Sequence, residues 1–314
     1  AIKKNGAVEY HYEVLVYQKD QPTAKAIEIK LDNYFPQEAY IYEDLNYNIV
    51  IAGFYSKSSS TSIDGAYMVK LEVDKGTVSR LNGGTYEIPP DVIKAYSSDW
   101  EKRRLEKRER KGENIGIRDL EIRSIATTPN GSIKIVAEQY LTYQYYDYTR
   151  YPGYGNPYYM SHPGGVFYSG RPNSRTSYNT KADDIFVFSI DAGGRLEWLK
   201  KIPKSQHSND CTAEGLSLAC SFTGNDVNIF FLDHIKNDKL PEDEPPYLLE
   251  EYDGGYLTGV RIDRQGNTSK YNLGNTRAYK TNFFIRYFVD GGNNNLIGTG
   301  RKKRKNMLFS IEEL

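Results

Sequence analysis

The sequence has few of the residues that most often build catalytic and metal sites. It contains two cysteines and four histidines in 314 residues, and no histidine pair has the HExxH spacing of zinc proteases. GxSxG, P-loop and GxGxxG motifs are also lacking, which removes the usual sequence evidence for a nucleophile elbow or a phosphate cradle. No stretch approaches the roughly 20 apolar residues that a membrane-spanning helix needs. The sequence therefore predicts no catalytic residue, no metal or cofactor, and no membrane span.

An excess of charge of either sign is lacking as well. Lysine and arginine together number 41, and aspartate and glutamate together also number 41. Without a net charge there is no global field that would collect nucleic acid or an anionic membrane, so charge-driven binding must come from local patches. Nucleic acid is therefore not a predicted partner.

The two cysteines, Cys211 and Cys220, leave two interpretations open. Their spacing of nine suits a local disulfide across neighbouring strands, and it equally suits two free buried thiols. With His207 and His234 they would form the pattern H-x3-C-x8-C-x13-H, which lacks the short chelating C-x2-C loop of a convincing zinc site. The cysteines therefore indicate neither a metal nor a compartment.

Tyrosine and glycine are abundant, with 28 and 27 residues, and this composition favours strands and tight turns over helices. The best-formed unit is a hairpin in residues 183–203. An apolar run at 185–190 leads to the turn Asp-Ala-Gly-Gly at 191–194, and a second run ends before Pro203. Within this second run, Trp198 is interpreted as a packing residue. The sequence thus predicts an all-β fold.

Runs of short strands separated by turns recur along the chain, with starts near residues 39, 120, 216 and 283. Serial four-stranded sheets are typical of a β-propeller, and the pattern predicts a single propeller domain of about five blades over residues 1–314. Two opening strands, at 10–18 and 25–31, are interpreted as the last two strands of a blade. Sequence before Ala1 is therefore expected to supply the missing strands and to close the ring of blades. A β-sandwich with long loops stays open as the alternative.

Two insertions interrupt this pattern. The first, at about 89–112, is predicted to be one helix over 92–111 that packs through Val92, Ile93, Tyr96 and Trp100. Its charged second half is interpreted as a solvated rim helix, or as a docking arm for an acidic partner.

The second insertion, at about 141–181, is a loop rich in tyrosine, glycine and proline, the composition of a binding surface. The other interpretation is that its first part extends a strand and the rest covers an exposed blade. The candidate partner-binding residues are Tyr143, Tyr145, Tyr146, Tyr148, Tyr151, Tyr154, Tyr158 and Tyr159.

Five consecutive cations lie where a turn between two strands belongs. They are Arg301, Lys302, Lys303, Arg304 and Lys305. A charged hairpin tip that protects a sheet edge from aggregation is the main interpretation. A site for an anionic partner is the weaker alternative.

Three resemblances accompany these patterns. The run from Ser189 to Gly193 resembles half of the Asp-box of sialidases, although Arg195 replaces the threonine and Trp198 comes late; the Asp191–Trp198 stretch also resembles the turn of quinoprotein-type propellers. More broadly, the chain resembles secreted or envelope β-propeller proteins of Bacteroidetes-type bacteria that lack an assigned activity. The segments that carry this resemblance are 51–56, 64–65, 137–140, 184–187 and 198–206. It implies a propeller fold and an extracytoplasmic location, in the periplasm or at the cell surface, and supplies no catalytic residues.

These observations together predict a non-catalytic binding or assembly module of the cell envelope. A protein partner, such as an envelope or outer-membrane complex, is expected to bind the loop insertions. The alternative is a glycan-binding or glycan-cleaving propeller with a site built from several loops, in which distant carboxylates meet.

Overall fold

The computed structural model describes most of the chain. The described residues are 2–4, 7–9, 11–17, 19, 22–58, 61–80, 82–148, 174–209, 213–241, 243–251, 253–292 and 295–312. Only the backbone is described for 2–4, 7–9, 145–148, 174–177 and 292. The fold is mostly β and contains several four-stranded antiparallel sheets. None of the described helices is long and apolar enough to cross a membrane.

Two hairpins precede a first sheet. The hairpins pair β1 (Ile2–Lys4) with β2 (Ala7–Glu9), and β3 (Tyr12–Val16) with β4 (Lys25–Ile29). The first sheet is an antiparallel series whose third strand also pairs with β9. Its strands are β5 (Phe35–Glu43), β6 (Ile49–Ser56), β7 (Gly65–Glu72), β8 (Thr77–Ser79) and β9 (Thr85–Glu87).

The second sheet contains the predicted hairpin of residues 183–203. Its strands are β10 (Leu120–Thr127), β11 (Ile133–Tyr148), β12 (Ser174–Ile190), β13 (Leu196–Ile202) and β14 (Gln206–Ser208). The predicted turn at 191–194 is confirmed, because the Asp191 carboxylate accepts the backbone N–H of Arg195 at 2.8 Å and Gly194 has a φ of 80°. The turns at Asp44 and Asp263 use the same carboxylate contact with the backbone.

The third and fourth sheets follow the predicted order. The third contains β15 (Leu218–Thr223), β16 (Asp226–Asp233), β18 (Tyr256–Ile262) and β19 (Thr268–Asn275), while β17 (Leu249–Glu250) joins β14 in parallel. In the fourth, β22 (Asn295–Lys302) pairs with β20 (Asn282–Phe283), β21 (Val289–Gly292) and β23 (Lys305–Glu312). A 3₁₀ helix at Ile285–Tyr287 interrupts the first strand predicted there.

The sheets pack face to face in series, unlike the two layers of a β-sandwich. Adjacent residues of each central strand point to opposite neighbours, so each such strand is buried on both faces. Ile135 of β11 packs toward the first sheet, whereas Val136 packs toward the third. Ile229 and Phe230 of β16 repeat this arrangement between the second and fourth sheets. The hairpin of β3 and β4 covers the outer face of the first sheet.

The predicted single helix is wrong, because the segment forms two helices. These are α1 (Pro90–Lys94) and α2 (Asp99–Arg110), separated by residues 95–98. Ser98 and Glu101 form a capping box that starts α2. Val92 and Ile93 pack on the core as predicted. Trp100 does not pack, since 67% of its surface is exposed. A short helix α3 (Thr276–Tyr279) and a 3₁₀ helix at Ile235–Lys239 complete the described helices.

Candidate functional site

A group of three carboxylates, one arginine and one tyrosine lies on the first two sheets. We call Glu38, Glu121, Arg123, Glu138 and Tyr140 the carboxylate–arginine cluster. Arg123 is at its centre, with Nε 2.7 Å from Glu138 Oε2 and Nη1 3.1 Å from Glu121 Oε2. The Arg123 guanidinium also lies over the Tyr140 ring, 4.3 Å from the ring centre. One cation thus serves several carboxylates and an aromatic face.

Three β-bulges lie at this cluster. The pairing register shifts at Gln37 in β5, at Arg123 in β10 and at residues 183–184 in β12, which lie opposite Gln139. A bulge re-aims the neighbouring side chains and is common next to functional sites. Because Arg123 is itself the extra residue of a bulge, its side chain does not have to follow the alternation of side chains between the two faces of the sheet. The bulges therefore help to bring these side chains together.

Burial raises the pKa of two carboxyl groups of the cluster and so makes them weaker acids than an ordinary glutamate. Burial raises the pKa of Glu38 to about 7, although the Ile122 N–H, 3.2 Å from Oε2, opposes this. Burial also raises the pKa of Glu121, and the nearby Glu138 adds to the effect. A carboxyl group with a pKa near neutrality can donate or accept a proton under ordinary conditions.

The donors of the cluster are incompletely used. Arg123 Nη2 is buried and has no hydrogen-bond partner among the described residues. Arg286, beside the last sheet, donates from Nη1 to the Tyr140 hydroxyl at 3.2 Å, and its guanidinium lies 5.6 Å from the Tyr140 ring centre. Because Arg123 Nη2 is buried, a ligand could reach this donor only if the cluster opened.

Beneath the cluster is a fully buried ion pair. Lys204 Nζ lies 2.7 Å from Glu138 Oε1, and neither side chain is exposed. The same ammonium donates to the carbonyl of Ala182 and to Gln206 Oε1, while Ser217 donates its hydroxyl to Glu138. All three Lys204 donors are therefore satisfied, and this pair is a structural support for the cluster.

None of the sequence patterns predicted this cluster. A visible signal existed, because Glu138 interrupts the apolar run Ile-Val-Ala in β11 at a buried position. Several segments that carry the resemblance to envelope propellers meet here. They contribute Glu138, Asp184, Lys201, Lys204 and Gln206.

The tyrosine-rich segment contains more regular structure than a loop. β11 and β12 stay paired from Tyr140 opposite Ala182 to Tyr148 opposite Ser174, and β14 lies beside β12 only as far as Thr180. We call this extension the ribbon. The prediction of a loop over 141–181 is therefore wrong at both ends, where tyrosine and threonine favour strands. The alternative that the first part extends a strand is confirmed.

The predicted partner-binding tyrosines fall partly on the ribbon. Tyr143 is 41% exposed. The backbones of Tyr145, Tyr146 and Tyr148 lie in β11. Tyr151, Tyr154, Tyr158 and Tyr159 lie outside the described residues.

The basic run forms the predicted turn between β22 and β23. Lys302 pairs with Lys305, and Lys303 has a φ of 56°. Arg301, Lys302 and Lys305 belong to the strands, so the turn is shorter than the run of cations. The Arg301 guanidinium lies 5.5 Å from the centre of the Phe284 ring. A role for Arg304 or its neighbours in anion binding stays a prediction.

The cysteines and histidines do not form a common site in the described part of the chain. Cys220 has no disulfide partner among the described residues, and burial raises the pKa of its thiol to about 11. Cys211 lies outside the described residues, so its pairing stays a prediction. His207 contacts Glu250 at 2.7 Å, while His234 accepts the N–H of Lys236. No group of three or more His, Cys, Asp or Glu among the described residues could hold a metal ion.

Comparisons with known proteins give distant structural matches. No protein-family model matches the chain, and no curated protein matches it. An acylaminoacyl peptidase from Pyrococcus horikoshii matches with a TM-score of 0.33 and 10% identity, over 88% of this chain and 36% of the peptidase. MPT-4, a mannose phosphorylase from Leishmania mexicana, matches with a TM-score of 0.23 and 10% identity, over 90% of this chain and 85% of that protein. These distant matches are to β-propeller proteins, at a similarity too low to support an argument about function.

Proposed function

We propose that the chain forms a β-propeller of about five blades that serves as a non-catalytic binding or assembly module of the bacterial cell envelope. The serial packing of the sheets supports the propeller, since blades stack in this way. The cell-envelope location, in the periplasm or at the cell surface, rests on the resemblance of the sequence. Fractionation of the native cells tests it, and recovery of the chain in the cytoplasm would refute it.

The ribbon is the observation that carries the binding proposal. β10 pairs with β11 only as far as Gln139, so the β11 edge from Leu141 to Tyr148 has no strand beside it among the described residues. An open edge offers backbone N–H and C=O groups to an incoming strand, and nearby side chains add specificity. Exposed Leu141 and Tyr143 supply apolar area at this edge. A protein partner that adds a strand fits this surface.

A shortened ribbon tests the proposal. Tyr143 and Asn179 are opposite each other, so replacing residues 144–178 with Asn-Gly would close a two-residue hairpin there. We expect this variant to fold and to lose the protein that co-purifies with the wild type from native envelopes. A variant with glutamine at 302–305 is the control and should keep the partner. Retention of the partner by the shortened variant would refute the proposal.

The carboxylate–arginine cluster supports a second candidate function, the binding or cleavage of glycans. The pKa of Glu38 near 7 suits a general acid, and Glu121, held by Arg123 at 3.1 Å, supplies a second carboxyl group. A glycan array and a glycosidase screen test this candidate, with Glu38→Gln as the variant. Two negative results would remove it.

A further inference from the structure

Helix α2 has an inner face that is fixed to the body of the protein. Lys102 Nζ lies 2.7 Å from Asp243 Oδ2, and Arg108 lines a cavity that α2 shares with Ile117 and Phe186. Leu105, between them on the same face, is half-buried. Because these three residues recur at every third position, they define the side of the helix that faces the protein. The opposite side is consequently held outward.

The outward side is a continuous row of cations that begins with an aromatic residue. We call this row the basic stripe, and every member is exposed. Its spacings from the first residue are 3, 4, 7, 10 and 11, which place all members on one face of an α-helix. The members are Trp100, Arg103, Arg104, Lys107, Arg110 and Lys111. The Arg104 guanidinium lies 5.5 Å from the centre of the Trp100 ring.

The acidic residues of α2 do not neutralise the basic stripe. Glu101 is used in the capping box, and Glu109 pairs with Lys94 at 2.9 Å. Asp99 and Glu106 flank the stripe, and Glu106 interacts with Arg110 only through its carbonyl oxygen. Among the described residues, Lys111 is the only member of the stripe with an acidic partner, Glu113 at 4.0 Å. The other four cations form no ion pair with any described residue.

We infer that the basic stripe docks the protein on an anionic lipid bilayer surface. From Trp100 to Arg110 the stripe runs for about 15 Å, at 1.5 Å per residue, along a straight helix. A flat anionic surface can therefore reach all its charges at once. The indole of Trp100, 67% exposed, has the amphipathic character that favours the headgroup region. An acidic polypeptide would gain less from an isolated exposed indole.

This inference is independent of the ribbon, and binding to vesicles tests it. The wild-type chain is mixed with vesicles of phosphatidylcholine alone, or with phosphatidylglycerol added, and bound protein is measured by sedimentation. We expect binding only to the anionic vesicles, with a steep decrease as salt rises. Replacing Arg103, Arg104, Lys107 and Arg110 with glutamine should reduce the partition coefficient about fivefold per charge. The combined reduction should be on the order of several hundredfold.

Tryptophan fluorescence adds a measurement that reports on the surroundings of the indole and not on charge. The chain has two tryptophans, and Trp198 donates from Nε1 to the Arg264 carbonyl at 3.0 Å between two sheets. We expect anionic vesicles to shift the emission to shorter wavelength through Trp100. Trp100→Phe should abolish the shift while binding remains measurable. A shift that persists in this variant would contradict the orientation inferred here.

A matched variant separates the basic stripe from total charge. Replacing Lys302, Lys303, Arg304 and Lys305 with glutamine also removes four positive charges, but from a different exposed surface. Vesicle binding of this variant should be nearly unchanged. Equal loss in both variants would overturn the inference. It would also be overturned if the wild type ignored anionic vesicles but bound poly-glutamate, because the partner would then be an acidic polypeptide.

Discussion

Lys204 and Glu138 form an ion pair whose two side chains are completely buried, with Nζ 2.7 Å from Oε1. Lys204 follows β13, whereas Glu138 lies in the middle of β11. The pair joins the core of the second sheet to the carboxylate–arginine cluster, because Glu138 also contacts Arg123. Taking two charges out of water is costly, so the pair depends on its complete set of hydrogen bonds.

Removing one partner of this pair should be strongly destabilising. We expect Lys204→Met to lower the free energy of unfolding by about 3–5 kcal/mol, because Glu138 would remain buried without its cation. Urea denaturation measures the change. Lys181→Met is the control, since Lys181 is exposed in β12, and it should change stability by no more than about 0.5 kcal/mol. Similar effects of the two substitutions would refute the assigned role of Lys204.

Glu38 should make stability depend on pH. Its folded-state pKa of about 7 lies above the ordinary glutamate pKa of 4.5, so the folded protein holds this proton more tightly than the unfolded chain. Its contribution is therefore fully present below pH 4.5 and is lost as pH rises toward 7. We expect the free energy of unfolding of the wild type to fall relative to Glu38→Gln across this window. A constant difference between the two proteins would contradict the raised pKa.

Lys201 should tether the helical insertion. Its ammonium donates to the carbonyls of Ile93 and Ala95, at 3.2 and 2.6 Å, and pairs with Asp184 at 2.9 Å. We expect Lys201→Met to loosen α1 and α2 and to speed tryptic cleavage within α2, because cleavage requires local opening. Mass spectrometry identifies the cleavage sites. Lys200→Met removes a neighbouring trypsin site without this tether, and it should leave cleavage of α2 unchanged.

Gly53 should tolerate no side chain. A Cβ at this position would lie 1.8 Å from the Glu38 carbonyl oxygen and 2.8 Å from the Tyr67 ring. We expect Gly53→Ala to cost about 2 kcal/mol or more, since the backbone of β5 cannot move away without breaking its pairing with β6. Thermal unfolding measures the loss. Gly193→Ala is the control, because its Cβ would come no closer than 3.3 Å to Asp191; an equal loss there would contradict the argument.

Hairpins and turns were predictable because their causes are local. Apolar strand runs, and turns with aspartate and glycine, place β13, the end of β12 and the turn between them correctly, although β12 begins at Ser174, well before the predicted run. The break before α2 was also visible in principle, since Ser98 and Glu101 have the spacing of a capping box. For the ribbon, the alternative that the first part extends a strand was correct for β11. The early start of β12 was not predicted, because glycine and proline in the middle of the segment favoured a loop there.

The site was harder to predict because its members come from distant parts of the chain. Glu38, Arg123 and Lys204 are separated by about 80 residues at each step, and no spacing rule connects them. Their contacts depend on which face of each strand is buried and on where bulges shift the register. A one-residue change of register would move these charges to another face.

The sequence by itself determined the class of the fold, because strand alternation and turn chemistry act between near neighbours. It also determined the approximate positions of most strands and of the basic turn at 301–305. The tertiary structure alone decided which charges meet, since burial and bulges bring Glu38, Arg123 and Glu138 together. It also decided that Trp100 faces outward beside a row of unpaired cations. The inner face of α2 is anchored to the protein by the contact of Lys102 with Asp243, which helical periodicity cannot reveal.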